Sequence, residues 1–166
     1  MPVTLRLEGA DRLTRALARA PETVTGEQAR AMTASLLLVE GDARRNVRQD
    51  TRQLMNSITH TPPRQRGDTL IGQVGPSVRY GLVVERGRKP NKPAPPRAAL
   101  RGWARRHGIP ESALFLIARK IGRAGTPARP FLAPAFTKNA ARIVALFARA
   151  GARVTATVAV QSGGRA

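Results

Sequence analysis

Ser57 and His60 are the nearest approach in this chain to a nucleophile and its base. A serine hydroxyl becomes a useful nucleophile when an imidazole within hydrogen-bond reach takes its proton. On a strand that chemistry fails, because residues three apart leave opposite faces. The acids offer no better pair. Glu85 and Glu111 lie near the basic half, and neither has the second carboxylate that glycoside hydrolysis or hard-metal binding requires. The chain has no cysteine and two histidines, His60 and His107. Thiol catalysis and a disulfide framework are thereby excluded, and a His-rich metal cluster is not expected. The segment GDTLIGQVG lacks the spacing of a phosphate-binding loop. The residues therefore point to a non-enzyme without a cofactor.

The general signal is charge. The 166 residues carry a formal charge of +19. Residues 1–85 hold twelve Lys/Arg against nine Asp/Glu, whereas residues 86–166 hold seventeen against one acid, Glu111. Self-repulsion of that size opposes compaction, so a counter-charge is expected nearby: nucleic acid, an acidic protein surface or salt. Arg far outnumbers Lys. Bidentate pairing with phosphate or carboxylate would favour that bias, and so would a GC-rich genome. The candidate contacts to DNA or an acidic surface are Arg86, Arg88, Lys89, Lys92, Arg97, Arg101, Arg105 and Arg106. Such a cluster neutralises phosphates without reading bases. Few aromatics means little base stacking, which argues against sequence-specific single-strand binding.

The elements that would position these residues follow from periodicity. Val3–Leu7 alternates as a short strand. A helix begins after Asp11 and stops or kinks at Pro21. A second helix runs from about Glu27 to Val47, with Met32, Leu36, Val39, Ala43 and Val47 on one stripe. Arg44, Arg45 and Arg48 complement its dipole. Leu54–Thr61 and Thr69–Val74 read as a β-hairpin around PPRQRGD, and Val78–Glu85 as a third strand or a short irregular bridge into the next section. Ala98–His107 and Glu111–Arg123 read as helices, the second apolar around much of its circumference. Another helix spans about Thr137–Ala150, with Phe136, Ala140, Ile143, Val144 and Phe147 inward. Gly151 closes it, Val154–Val160 returns as a strand, and residues 161–166 form a tail. The longest strongly apolar runs, Leu36–Val39 and Ala113–Ala118, are far short of a membrane span. The fold class is α+β. A small antiparallel sheet packs against a long amphipathic helix and a C-terminal helix.

Between the last two helical regions lies TPARPFLAPAF, Thr126–Phe136. Three prolines stiffen it, while Phe131, Leu132 and Phe136 give it large apolar side chains to dock. Its partner is the chain's own core or a neighbouring subunit.

Three motifs occur in a fixed order. Asp50–Ile58, DTRQLMNSI, resembles D-T-G-x-L-x-x-S-I. Tyr80–Gly87, YGLVVERG, resembles Y-A-x-x-V-E-x-G. Pro127–Ala135, PARPFLAPA, resembles P-A-R-P-F-L-x-P-A. Together they resemble the HK97 gp10-like family of tailed-phage neck and tail-completion proteins, over roughly residues 5–150. Arg52 departs from the pattern, which has Gly there. The resemblance implies a core domain of residues 1–88 and 126–160, interrupted by a basic helical insertion, 89–125.

It also implies a structural virion protein at the head–tail junction, made in the bacterial cytoplasm. Such proteins form homo-oligomeric rings, for example hexamers, against connector, neck and tail-tube proteins. The lumen admits non-specific contact with DNA, and no membrane is involved. On this reading Glu85, Trp103, Arg129, Phe131 and Leu132 are the candidate subunit-interface residues. The competing class is a small basic protein that binds nucleic acid without sequence preference.

Overall fold

The computed structural model describes residues 10–47, 52–67 and 69–162. The expected strand Val3–Leu7 and the turn residues Asp50 and Thr51 lie outside them. Among the described residues the chain is α+β, as the sequence implies: long helices pack with a short antiparallel ribbon.

The first helix, α1, spans Ala10–Asn46, 37 residues with Pro21 inside it. The sequence divides this region into two helices at Pro21, and the structure joins them. A proline removes one ladder hydrogen bond and crowds the preceding turn. On the following turn the Thr25 hydroxyl donates to the Pro21 carbonyl at 2.9 Å. Beyond it, Leu36, Val39, Ala43 and Val47 are buried on the expected stripe.

That stripe faces the last helix, α6, Leu132–Ser162. Two cross-links fix the pair as antiparallel: Arg153 donates to Glu27 at 2.5 Å, and Asn139 to Asp42 at 2.5 Å. Small residues, Ala31 and Ala43 on α1 and Ala135 and Ala150 on α6, are fully buried in the seam and let the helices approach. Asp42 also receives Arg45 and Lys138. The Asn139 amide, then Arg45 and Lys138, hold its carboxyl down at about 2, against the penalty of desolvation.

α6 corrects two expectations. It does not end at Gly151, and Val154–Val160 is helix rather than strand. The Val/Thr alternation there also places Val154, Thr157 and Val158 at positions i, i+3 and i+4, and those three are the half-buried ones. With Arg153 anchored to Glu27, the helical reading wins over a β preference that spans only ~1 kcal/mol. The buried stripe is also rotated. Ala135, Asn139 and Ala150 face α1, while Phe136 and Val144 are 59% and 69% exposed. By length and composition α6 could cross a bilayer, although the isolated apolar runs gave no such segment. It nevertheless places Lys138 and Arg153 in ion pairs with α1.

After α1 the chain makes one helical turn, α2 (Gln53–Ser57), then the strand β1 (Ile58–His60). The expected strand Leu54–Thr61 is therefore half helix. The hairpin itself is present and runs in two parts. β1 pairs with β4 (Val74–Pro76), and β2 (Arg64–Arg66) with β3 (Thr69–Ile71), both antiparallel. Pro62 and Pro63 separate the two ladders because neither can donate. Arg44, expected only to offset the helix dipole, clamps this ribbon to α1. Its guanidinium donates to the Ile58 carbonyl at 2.7 Å and pairs with Glu40 at 2.7 Å.

Val78–Glu85 is not a strand. Tyr80–Arg86 forms α3. Gly81 and Val84 turn inward, whereas Leu82 is 55% exposed. That is a helical repeat, and close packing enforces it: a Cβ on Gly81 would stand 2.5 Å from Pro76 Cγ.

The insertion holds α4 (Arg97–Arg106), a 3₁₀ turn (Glu111–Ala113) and α5 (Leu114–Ala124). Arg88 and Thr126 exchange both backbone hydrogen bonds, at 2.9 and 3.0 Å, and so close the insertion at its base. Gly87 and Gly125 flank this neck at φ 71° and 73°. A Cβ on Gly125 would lie 2.1 Å from the Arg88 carbonyl oxygen, so no other residue fits there.

Candidate functional site: the motif junction and its basic cleft

The three motifs meet. Leu54 and Ile58 from the first and Phe131 from the third are buried together with Val39, Ala43, Val47 and Ala135, and Val84 from the second packs on them. Phe131 is 1% exposed and is the largest fully buried side chain. Asn46 at the end of α1 donates its amide to the Phe131 carbonyl at 3.1 Å. The Arg129 backbone N–H donates to the Val84 carbonyl at 2.8 Å.

Glu85 has a role that the sequence reading missed. Its carboxylate accepts the N–H groups of Phe131 (2.7 Å), Leu132 (2.9 Å) and Ala133 (2.9 Å). These are the free donors at the start of α6, and Pro134 contributes none. Glu85 is thus a helix cap supplied from 47 residues upstream of Leu132. Burial pushes its carboxyl up, but the three backbone donors outweigh that and hold it below the ordinary range. Arg79, Arg86 and Arg88 are its neighbours in sequence, but the carboxylate's hydrogen bonds go to these backbone donors of its own chain. The spacing of Glu85 to Phe131 carries no local signal for a cap.

Of the other candidate interface residues, Leu132 is half-buried against the core. Trp103 is half-buried on α4, its ring centroid 5.1 Å from that of His107. The Arg129 side chain is exposed. Arg129 and Trp103 line a cleft of about 970 Å³ between α4 and the motif junction, together with Arg52, Tyr80 and Arg106.

Arg52 holds φ 58°, ψ −5°, the left-handed region. This is the position where the resembled signature carries Gly, so the departure is one of residue type and not of backbone. A left-handed L-residue costs roughly 1–2 kcal/mol. Arg52→Gly should therefore raise stability by about 0.5–1 kcal/mol, after the entropy that Gly adds to the unfolded chain. Urea unfolding checks this; an unchanged midpoint would mean that the Arg52 side chain earns its strain elsewhere.

The candidate anion contacts do not form one free patch. Arg86, Lys89, Lys92, Arg105 and Arg106 are exposed. Arg101 pairs with Glu111 at 2.8 Å, and Arg97 lies over the Phe115 ring at 5.4 Å. Arg88 is half-buried at the neck and donates to the Pro93 carbonyl. Ser57 and His60 do not pair: Ser57 donates to the Leu54 carbonyl at 2.8 Å, and His60 Nδ1 lies 2.5 Å from Glu40. α5 is half-buried, with Leu114 and Ala118 inside but Phe115 and Leu116 50% and 63% exposed.

Comparison with family models, with curated proteins and with solved structures finds no match.

Proposed function

We propose that this chain is a non-enzymatic structural protein of the head–tail junction of a tailed bacteriophage or phage-like particle, where copies of it form a ring. The observation that carries the reading is the convergence of the three resembled motifs. They are separated by long stretches of sequence, yet Ile58, Glu85 and Phe131 serve one junction. Motif residues that cooperate in this way support a resemblance that scattered matches would not. The left-handed backbone at Arg52, where the signature has Gly, adds support.

The purified full chain should form a closed homo-oligomer, seen as a discrete multiple of 17.9 kDa by mass measurement and as rings by negative-stain microscopy. A monomer at micromolar concentration would overturn the ring.

One observation favours the second reading, sequence-independent nucleic-acid binding: seven of the Lys/Arg between residues 86 and 106 are exposed, Arg97 and Arg101 among them. A monomer that binds duplex DNA with a steep salt dependence would support it.

A further inference from the structure

An open groove of about 790 Å³ lies between α6 and the β1–β4 ribbon, with α1 as its floor. Met32, Phe136 and Phe147 form an apolar wall, and Thr59, Gln73 and Ser77 an uncharged polar one. Among the described residues no Lys, Arg, Asp or Glu lines it, in a chain of formal charge +19. Phe136, 59% exposed, stands on this groove. A charge-free surface is where a second copy of so basic a protein can approach without like-charge repulsion.

A segment of this same chain fits the two walls. Val3–Leu7, outside the described residues, alternates Val3, Leu5 and Leu7 against Thr4 and Arg6. In extended form one edge of it is apolar and the other polar. Its own groove is out of reach. Met32, the groove residue nearest the start of α1, lies 22 helical residues beyond Ala10, about 33 Å along the axis. Leu5 is tethered five residues before Ala10, a reach of at most about 18 Å. The Glu27–Arg153 register also carries the start of α1 past the end of α6 by about 12 Å.

We infer that Val3–Leu7 of one copy seats in the α6–ribbon groove of the next copy. The contact is head-to-tail: arm on one side, groove on the other. Repeated from copy to copy, such a contact builds a ring where its rotation closes. This inference rests on the ring reading above.

The absence of cysteine makes cross-linking a clean test. Thr4→Cys and Gln73→Cys, placed in one chain and treated with a short bis-maleimide, should give a ladder of covalent dimers, trimers and higher species on a denaturing gel. The two single variants, refolded together, should give cross-linked dimers. Removal of residues 2–8 should reduce the assembly to folded monomers, with the helical circular-dichroism signal retained.

Three outcomes overturn the inference while leaving the ring standing: a cross-link confined to single chains, no cross-link, or an unchanged mass after the arm is removed. Cross-linking of Leu116→Cys to Gln73→Cys in place of Thr4→Cys would assign the groove to α5 and overturn it as well. A wild-type chain that is monomeric fails the ring reading itself, and the inference with it.

Discussion

Phe131→Ala should lower the stability of the chain by about 3–5 kcal/mol, the largest effect expected of any single substitution here. Phe131 is fully buried where α1, α2, α3 and the start of α6 meet. Truncation removes the aromatic transfer energy and leaves a cavity. That cavity is poorly placed to collapse, because its walls are held by the Asn46 side-chain amide on the Phe131 carbonyl and by the backbone bond from Arg129 to Val84. Phe131→Leu, which retains most of the apolar volume, should lose less than half as much. Urea unfolding monitored by circular dichroism measures both. If Phe131→Ala left the midpoint within 0.5 kcal/mol of wild type and abolished assembly instead, the side chain would belong to a neighbour's interface and its burial here would not matter to folding.

Glu85→Ala should cost about 2–3 kcal/mol, because three backbone donors at the start of α6 lose a charged acceptor and the positive end of the helix dipole loses its counter-charge. Glu85→Gln, which keeps one carbonyl acceptor without the charge, should fall between. The same site sets a pH dependence. The Glu85 carboxyl titrates lower in the folded chain than in the unfolded one, so its contribution is complete above the unfolded value, about 4.3. It is lost as the pH falls through the lower folded value. Wild type should therefore lose stability on acidification below about pH 4 by more than Glu85→Gln does. Asp42, held near 2 by Asn139, Arg45 and Lys138, contributes in the same direction. If both proteins lost stability in parallel, the cap would not be ionic.

The two predictions also show how far the candidate site could be read from residues. Phe131 was legible as a docking group, because a large apolar side chain among prolines must go somewhere. Which core received it was not legible. Glu85 was legible as a motif residue with arginines beside it in sequence, and its hydrogen-bond partners were not legible. In the structure the acid turns from the guanidinium groups to three amide protons 46 to 48 residues away. Arg52 was legible as an oddity in a Gly position, and the positive φ gives that oddity its physical meaning.

The same division runs through the fold. Hydrophobic spacing alone determined the buried stripe of α1, because Leu36, Val39, Ala43 and Val47 repeat at 3.6 residues and one strong period admits one answer. The motif resemblance, not composition, set the insertion at 89–125, and only the structure shows the backbone crossing of Arg88 and Thr126, flanked by Gly87 and Gly125, that closes it. Charge alone marked its basic character. Tertiary structure decided whether the β-branched runs Val78–Glu85 and Val154–Val160 became strand or helix. Their local preference is weak, and the contacts that tip it come from outside each run: Pro76 and Leu54 against Gly81, and Glu27 on Arg153. It also decided that Glu85 caps α6, and it built an uncharged groove from three separate elements. No local pattern encodes a contact whose two halves are brought together only by folding.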